Sequence, residues 1–249
     1  MPRGLLWVAS RIVNAEGLTE DKFCEWYENT HIQEVLVLAG FPAAARYEAL
    51  QPQPDAKAFS NEAPWLTVYE MPDVAYRESE EFKQLIGQSP LPQELIEGVF
   101  KNARFDTRFY EEVQCFENPE VMGKGPATYL ISAALQPPKG TESDFDTWYR
   151  KEHIPLLSRA PGFLRTRRYE LVNATVLDCF ERTEDEKVPK YLAHHEFNGD
   201  ALPWKELGEI ATTEWAKKVM GGLVGEEVGW YRIKKVYAES EWGSVGVKA

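Results

Sequence analysis

Two hydrophobic rhythms alternate along this chain. Apolar runs rich in β-forming residues, "LLWVASRIV" (5–13) and "ATYLISAAL" (127–135), predict strands. Each is followed by a turn and a helical segment in which Phe23, Tyr27 and His31, then Phe145, Tyr149 and His153, recur at every fourth position. That spacing puts the three side chains on one stripe of a helix, with Trp26 and Trp148 on a neighbouring stripe. Thr19 opens the first helix and Ser143-Asp144 the second, and both stop near a glycine, Gly40 and Gly162. Second strands follow in "AAARYEAL" and "RTRRYELV", and third strands in "WLTVYEM" (65–71) and "YLAHHEF" (191–197). "ESEEFKQLIG" and "LGEIATTEWAKKVMGG" predict second helices, and "RFDTRFYEEVQCF" and "VGWYRIKKVYA" alternate like closing strands.

The β-α-β-β-α-β order therefore occurs twice. A shift of 122 residues lays 5–50 on 127–172 without a gap and pairs Trp26 with Trp148, Tyr27 with Tyr149 and His31 with His153. Gly40-Phe41 falls on Gly162-Phe163, and Arg46-Tyr47-Glu48 on Arg168-Tyr169-Glu170. A period this long indicates a duplicated domain, since solenoid repeats run to about 20–50 residues. The split order is that of a ferredoxin-like α+β unit, whose sheet carries helices on one face and leaves the other bare. A second copy in the same chain can cover that face. The expected organisation is a repeat over 1–116, a Gly- and Pro-containing linker over 117–126, and a second repeat with a tail over 127–249, joined as an internal pseudo-dimer. Loops 51–64 and 181–189 occupy equivalent places and differ between the halves, where ligand access is often set.

Composition narrows the function. Hydrophobic residues make up 43% and charged residues 27%, with eight Trp, eleven Tyr and twelve Phe available for a core or for a pocket around a flat molecule. A formal charge of −12 repels a phosphate backbone and argues against nucleic acid or an anionic membrane surface as partner. No segment approaches the roughly 18–20 apolar residues of a membrane span, and the N-terminal apolar run is too short for a secretory signal. Cys24, Cys115 and Cys179 form no CxxC pair, which argues against a disulfide framework or a Cys-rich zinc site. A soluble, cytoplasmic protein is the expectation. Nucleotide-binding glycine loops and the GxSxG elbow are both missing from the sequence.

The repeated histidine carries the candidate chemistry. On a stripe packed against a sheet, His31 and His153 would be neutral imidazoles able to take and return a proton. A structural histidine bonded to a strand carbonyl fits the same pattern. On the third strands, Tyr69 and His195 are equivalent, and His194 must point to the opposite face from His195. Which of the two faces the helices is open at this stage. Tyr47 and Tyr169 are either phenol donors to a substrate carbonyl or strand aromatics. Arg46 and Arg168 either clamp a carboxylate or sit in solvent.

"FCEWYENTHI…GF…RYE" and "FDTWYRKEHIPLL…PGF…RRYEL" resemble the EthD-like branch of the dimeric α/β-barrel superfamily. The second copy fits better, with His-Ile-Pro and Pro-Gly-Phe where the first has His-Ile-Gln and Ala-Gly-Phe. The resemblance implies a barrel closed within one chain, with further homodimerisation left open. It also implies work without metal or organic cofactor, using His and Tyr in a cleft between helices and sheet. On that basis His153, His31, His195, Tyr169 and Tyr47 are the expected catalytic set. Trp148, Tyr149, Trp26, Tyr27, Tyr69 and Arg168 are the expected substrate-binding set. The implied activity is cyclisation (a pericyclic one included), isomerisation or decarboxylation of a hydrophobic polyketide- or terpenoid-type compound. Cofactor-free oxygenation of an anthrone-like phenol and a non-catalytic binding barrel are the alternatives. Haem-degrading proteins share this barrel, and nothing in this sequence selects a haem-ligand histidine.

Overall fold

Strand β1 (Gly4–Ile12) pairs on one side with β3 (Trp65–Met71) and on the other with β4 (Ala103–Glu117), while β2 (Ala44–Ala49) extends the β3 edge. The second half repeats this arrangement. There β5 (Tyr129–Gln136) lies between β8 (Tyr191–Phe197) and β9 (Gly225–Tyr237), and β6 (Phe163–Asp178) extends β8. Two seams join the halves: β2 pairs with β9, and β4 pairs with β6 over almost its whole length. The ring β4-β1-β3-β2-β9-β5-β8-β6 thus closes as an eight-stranded antiparallel barrel, so the expected α+β ferredoxin-like architecture holds. This computed structural model describes residues 2–86, 91–120, 127–185 and 187–237.

Strand alternation sorts the apolar residues into layers. Leu5, Trp7 and Ala9 point inward with Tyr47, Leu66, Leu130, Tyr169, Leu192 and Tyr231 to fill the barrel. The alternate residues point outward beneath the helices, Phe23, Tyr27 and Phe41 covering one half and Phe145, Trp148 and Tyr149 the other. Each of these large side chains is almost fully buried, which contributes about 1.5–3 kcal/mol apiece in transfer terms.

The helices depart from expectation in three places. First, α1 (Glu20–Trp26) and α2 (Ile32–Leu36) are joined by a π-turn over Tyr27–His31, and α6 (Glu142–Trp148) and α7 (Ile154–Leu157) by one over Tyr149–His153. The N–H of Ile32 reaches Tyr27 O and that of Ile154 reaches Tyr149 O, five residues back, so one extra residue is held in the turn. Second, α6 starts at Glu142 rather than at Ser143-Asp144; the Thr141 hydroxyl donates to Pro138 O, and Glu142 accepts from the Gly140 N–H. Third, the segment expected as one helix over 207–222 is two, α8 (Trp204–Ala211) and α9 (Glu214–Gly221), because Thr213 leaves helical geometry to cap α9 through its hydroxyl.

Loop expectations also change. Residues 181–184 of the expected loop 181–189 form β7 (Glu181–Glu184), a hairpin with β6 outside the barrel ring. Cys179 and Phe180 make its two-residue turn, both at positive φ, the geometry of a type I′ turn. In the first half, loop 51–64 holds only the short helix α3 (Phe59–Glu62), the expected second helix is α4 (Glu80–Ile86), and a further helix, α5 (Gln93–Gly98), precedes β4. The expected linker 117–126 begins with Glu117 still in β4, and its residues 121–126, like the tail from 238, lie outside the described residues. Gly162 sits at φ 77° with the Asn198 carbonyl where a Cβ would project, so the turn into β6 needs glycine.

Candidate active site

The π-turn decides where the histidines go. Its extra residue places His153 directly over Trp148, five positions earlier, with ring centroids 4.4 Å apart and planes at 28°. His31 stacks on Trp26 in the same way at 5.1 Å. The tryptophans therefore share the histidine's stripe rather than a neighbouring one. Tyr149 and Tyr27 each meet their histidine edge-on, at 5.2 and 5.1 Å.

Beneath the second π-turn, β8 presents His195. Its ring lies 5.3 Å from that of His153, and its Nδ1 is 2.9 Å from Thr166 Oγ1. His194 turns into the barrel instead, which answers the question left by the sequence. Trp7 Nε1 donates to Ser132 Oγ at 3.2 Å, and Ser132 Oγ lies 3.2 Å from His194 Nε2. The indole can only donate, so the serine oxygen accepts from it; the hydroxyl then meets His194 Nε2 as donor or acceptor according to the imidazole tautomer.

Arg168 completes the cluster. It is buried, not solvated, with its guanidinium 4.3 Å from the Tyr149 ring centroid and Nη1 donating to Asp146 at 2.7 Å and Gln114 at 2.8 Å. Its charge and the burial act together on the histidines. Burial first and Arg168 second push His153 down to about 3. His195 is held well below its ordinary value by burial, by His153 and His194, and by Arg168. Both imidazoles are thus neutral at neutral pH, and His153 Nδ1 is sealed from solvent with no hydrogen-bond partner. Burial raises the Tyr149 phenol against the opposing pull of Arg168, so that phenol stays protonated.

The other half holds a different set at the same places. Tyr69 stands where His195 does, and Cys24 where Asp146 does. The His31 side chain is 31% exposed, and its Nδ1 lies 3.7 Å from Glu34 at the rim. Arg46 is fully buried, donates from Nη1 to Thr67 at 2.9 Å, and stacks 4.3 Å from the Tyr27 ring centroid.

Tyr47 and Tyr169 are separated from every cleft histidine by the sheet itself. They line a cavity of about 20 Å³ inside the barrel, with His194, Arg167 and Glu196, room for a water molecule and little more. The structure therefore gathers His153, His195, Trp148, Tyr149 and Arg168 in one packed cluster beneath the second π-turn, sets His31, Trp26, Tyr27 and Tyr69 in another around the first, and gives Tyr47 and Tyr169 to the barrel core. Sequence reasoning missed Asp146, Gln114, Thr166 and Glu152. Asp146 had a signal, standing one helical turn before Tyr149 on the face that meets the strand carrying Arg168; Gln114 reaches in from β4 across the seam and had none. Among the described residues no three His, Cys, Asp or Glu side chains gather at metal-ligating spacing. Among them, too, no helix is long and apolar enough to cross a membrane.

No known family profile and no curated protein matches the sequence. Solved structures do match in fold. An anthrone oxidase-like protein superposes with a TM-score of 0.57 at 10% identity, over 98% of this chain and 97% of that one. A candidate monooxygenase from Fusobacterium nucleatum gives 0.52 at 9% identity over 96% of each chain. A candidate chlorite dismutase gives 0.54 at 10% identity, over 94% of this chain and 96% of that one. At these identities the likeness concerns the barrel: the chain has the fold of ferredoxin-like, dimeric α/β-barrel proteins.

Proposed function

We propose that the protein is an acid–base enzyme acting on a flat, hydrophobic keto or phenolic compound in the second-half cleft. The observation that carries this reading is the His153–His195 pair, two neutral imidazoles 5.3 Å apart beside a buried arginine, one with a sealed, unpartnered Nδ1. A neutral imidazole is a base without first losing a proton. The anion formed when it removes a proton from an activated carbon or a phenol raises its hold on that proton, and Arg168 stabilises the same anion. Asp146 and Gln114 fix the guanidinium, while Trp148 supports the His153 ring from behind. Isomerisation, cyclisation and decarboxylation all use such a step, and the resemblance noted in the sequence supports natural-product biosynthesis without a cofactor as its setting.

Oxygenation is the second reading, favoured by the end-to-end likeness to an anthrone oxidase-like protein. There the same proton removal would precede reaction with dioxygen, an activated CH2 becoming C=O while O2 is consumed and water released.

Deuterium exchange tests the shared step. Anthrone and a cyclic 1,3-diketone are held in D2O buffer under nitrogen, and loss of the acidic C–H signal is followed by NMR. The protein should accelerate exchange of at least one probe. His153→Ala should lose about 10²-fold or more of that acceleration, the usual size of a general-base contribution, and His31→Ala should change it by less than about threefold. Acceleration that survives in both His153→Ala and His195→Ala sinks the reading. Oxygen uptake on admitting air then separates the oxygenase from the cofactor-free isomerase or lyase.

A further inference from the structure

Near one end of the barrel lumen the short ion pairs leave one cation out. Glu70 Oε1 takes Arg3 Nη2 at 2.8 Å, and Glu196 Oε2 takes both Nε and Nη2 of Arg165 at 2.8 Å. Arg167 is 7% exposed, and its carboxylate neighbours among the described residues, Glu117 and Glu196, each stand 4.0 Å away, beyond hydrogen-bonding range. Cys115, opposite it on β4, offers only a weak sulfur acceptor. Arg168, next in the chain on the other face of the sheet, has Asp146 at 2.7 Å. A guanidinium taken out of water is costly unless some group accepts from it.

Arg167 also lines the lumen cavity of about 20 Å³, with Tyr47, Val68 and Glu112 from the first half and Tyr169, His194 and Glu196 from the second. A single water needs roughly 10–15 Å³ by such a measure, so one water fits and an organic molecule does not. Charge narrows the choice further. An anion here would face Glu70, Glu112 and Glu196, a cation would face Arg167, and an apolar atom would leave the guanidinium without an acceptor. Water both accepts and donates, which suits a wall that carries arginine, carboxylates and a histidine. His194 Nε2 is engaged by Ser132 at 3.2 Å, which leaves Nδ1 as its other ring nitrogen.

We propose that this cavity binds one long-lived water, which accepts from Arg167 and donates to the carboxylate and imidazole side of the same wall. Such a water is part of the core rather than of the solvent: it lets Arg167 stay charged where no carboxylate reaches it. Its wall comes from both halves, so the site exists only in the closed barrel. Arg3 and Glu70, with side chains 30% and 12% exposed, stand on its solvent side.

Oxygen-17 relaxation dispersion, which counts waters held for longer than the protein tumbles, tests the site alongside denaturant midpoints. Val68→Ile adds one methyl group to the cavity wall. It should remove one long-lived water from the dispersion amplitude and lower the midpoint, because Arg167 loses its acceptor. An unchanged amplitude overturns the proposal. So does a raised midpoint, the result of filling a dry void. Overpacking also lowers a midpoint, so the same substitution is repeated with Arg167→Met, which keeps an unbranched side chain and removes the charge. There Val68→Ile should lower the midpoint by less than about half as much, the non-additivity expected of groups that share one partner. Equal losses in the two backgrounds would make the effect steric and sink the water. A saturable rise in midpoint with chloride at constant ionic strength, lost in Arg167→Met, would assign the cavity to an anion instead. None of these readouts involves the exchange chemistry of the second half.

Discussion

His194 and His195 are neighbours in sequence and belong to different compartments. Alternation along β8 requires them to point apart, but which one meets the helices depends on the register of β8 with β5 and β6, where Ile131 and Thr166 both lie opposite His195. Local sequence holds no trace of that register. In the same way Tyr169 and Arg168 were readable as opposite-facing, yet the arginine's burial was not, since it rests on Asp146 and Gln114 from two other elements. The histidines also give stability a pH dependence. Burial holds His194 at about 4 and His153 at about 3, against 6.5 in an exposed chain. Between those values and 6.5 the unfolded chain binds the protons that the folded chain refuses, so acidification favours unfolding. The contribution is fully present above about pH 6.5 and is lost as pH falls, at a slope near 1.4 kcal/mol per pH unit for each such group. Denaturant midpoints measured from pH 7 to pH 5, above most carboxylate titration, should therefore fall steeply. His194→Gln, which retains a polar partner for Ser132, should flatten the fall; an unchanged slope would show that His194 titrates normally in the folded protein.

At the level of elements, the β-α-β-β-α-β order was legible because apolar periods of two and of about four residues separate cleanly, and "WLTVYEM" and "YLAHHEF" coincide with β3 and β8. The π-turns were not legible. "YENTH" and "YRKEH" contain no glycine or proline, and a stripe of Phe, Tyr and His at four-residue spacing looks the same with or without an extra residue at its end. The β6–β7 hairpin was hidden for a related reason, its turn being Cys179-Phe180 rather than the Asn-Gly that such geometry favours. What stabilises the second π-turn is visible in three dimensions: Glu152 Oε1 accepts from Trp148 Nε1 at 3.2 Å and from the Thr213 hydroxyl at 2.7 Å, tying the turn to the start of α9. Thr30 stands at the matching place in the first half. Glu152→Ala leaves a buried indole N–H unpaired and should cost about 1–3 kcal/mol in chemical denaturation, with near-ultraviolet dichroism of Trp148 reduced. Glu152→Gln keeps an acceptor oxygen and should recover most of both. Equal effects from the two substitutions would show that the carboxylate's charge, rather than its acceptor, holds the turn.

The whole molecule is a barrel that neither half can close. Each half has a sheet with one covered face and one lumen face, and the lumen core mixes Leu5, Trp7 and Tyr47 with Leu130, Tyr169 and Tyr231. The bare sheet face expected from the sequence is therefore real, and its cover comes from the other half. Polar contacts cross the lumen too: Trp7 reaches Ser132, and Arg108 reaches Glu227. Separation of the halves would expose that core and leave β2, β4, β6 and β9 each with an unpaired edge, the condition that drives strand-to-strand association. Fragments 1–120 and 127–249, produced apart, should thus not persist as monomers; light scattering after gel filtration should show dimers or larger species. Mixing them should yield a one-to-one complex, because Arg108 meets its acid, and Trp7 its acceptor, only across the two halves. That complex should unfold in a single transition, as one closed sheet with no independent unit inside it. A fragment that stays monomeric and melts cooperatively by itself would mean that the seams are docking surfaces between two self-sufficient domains, and that the lumen core is dispensable for folding either one.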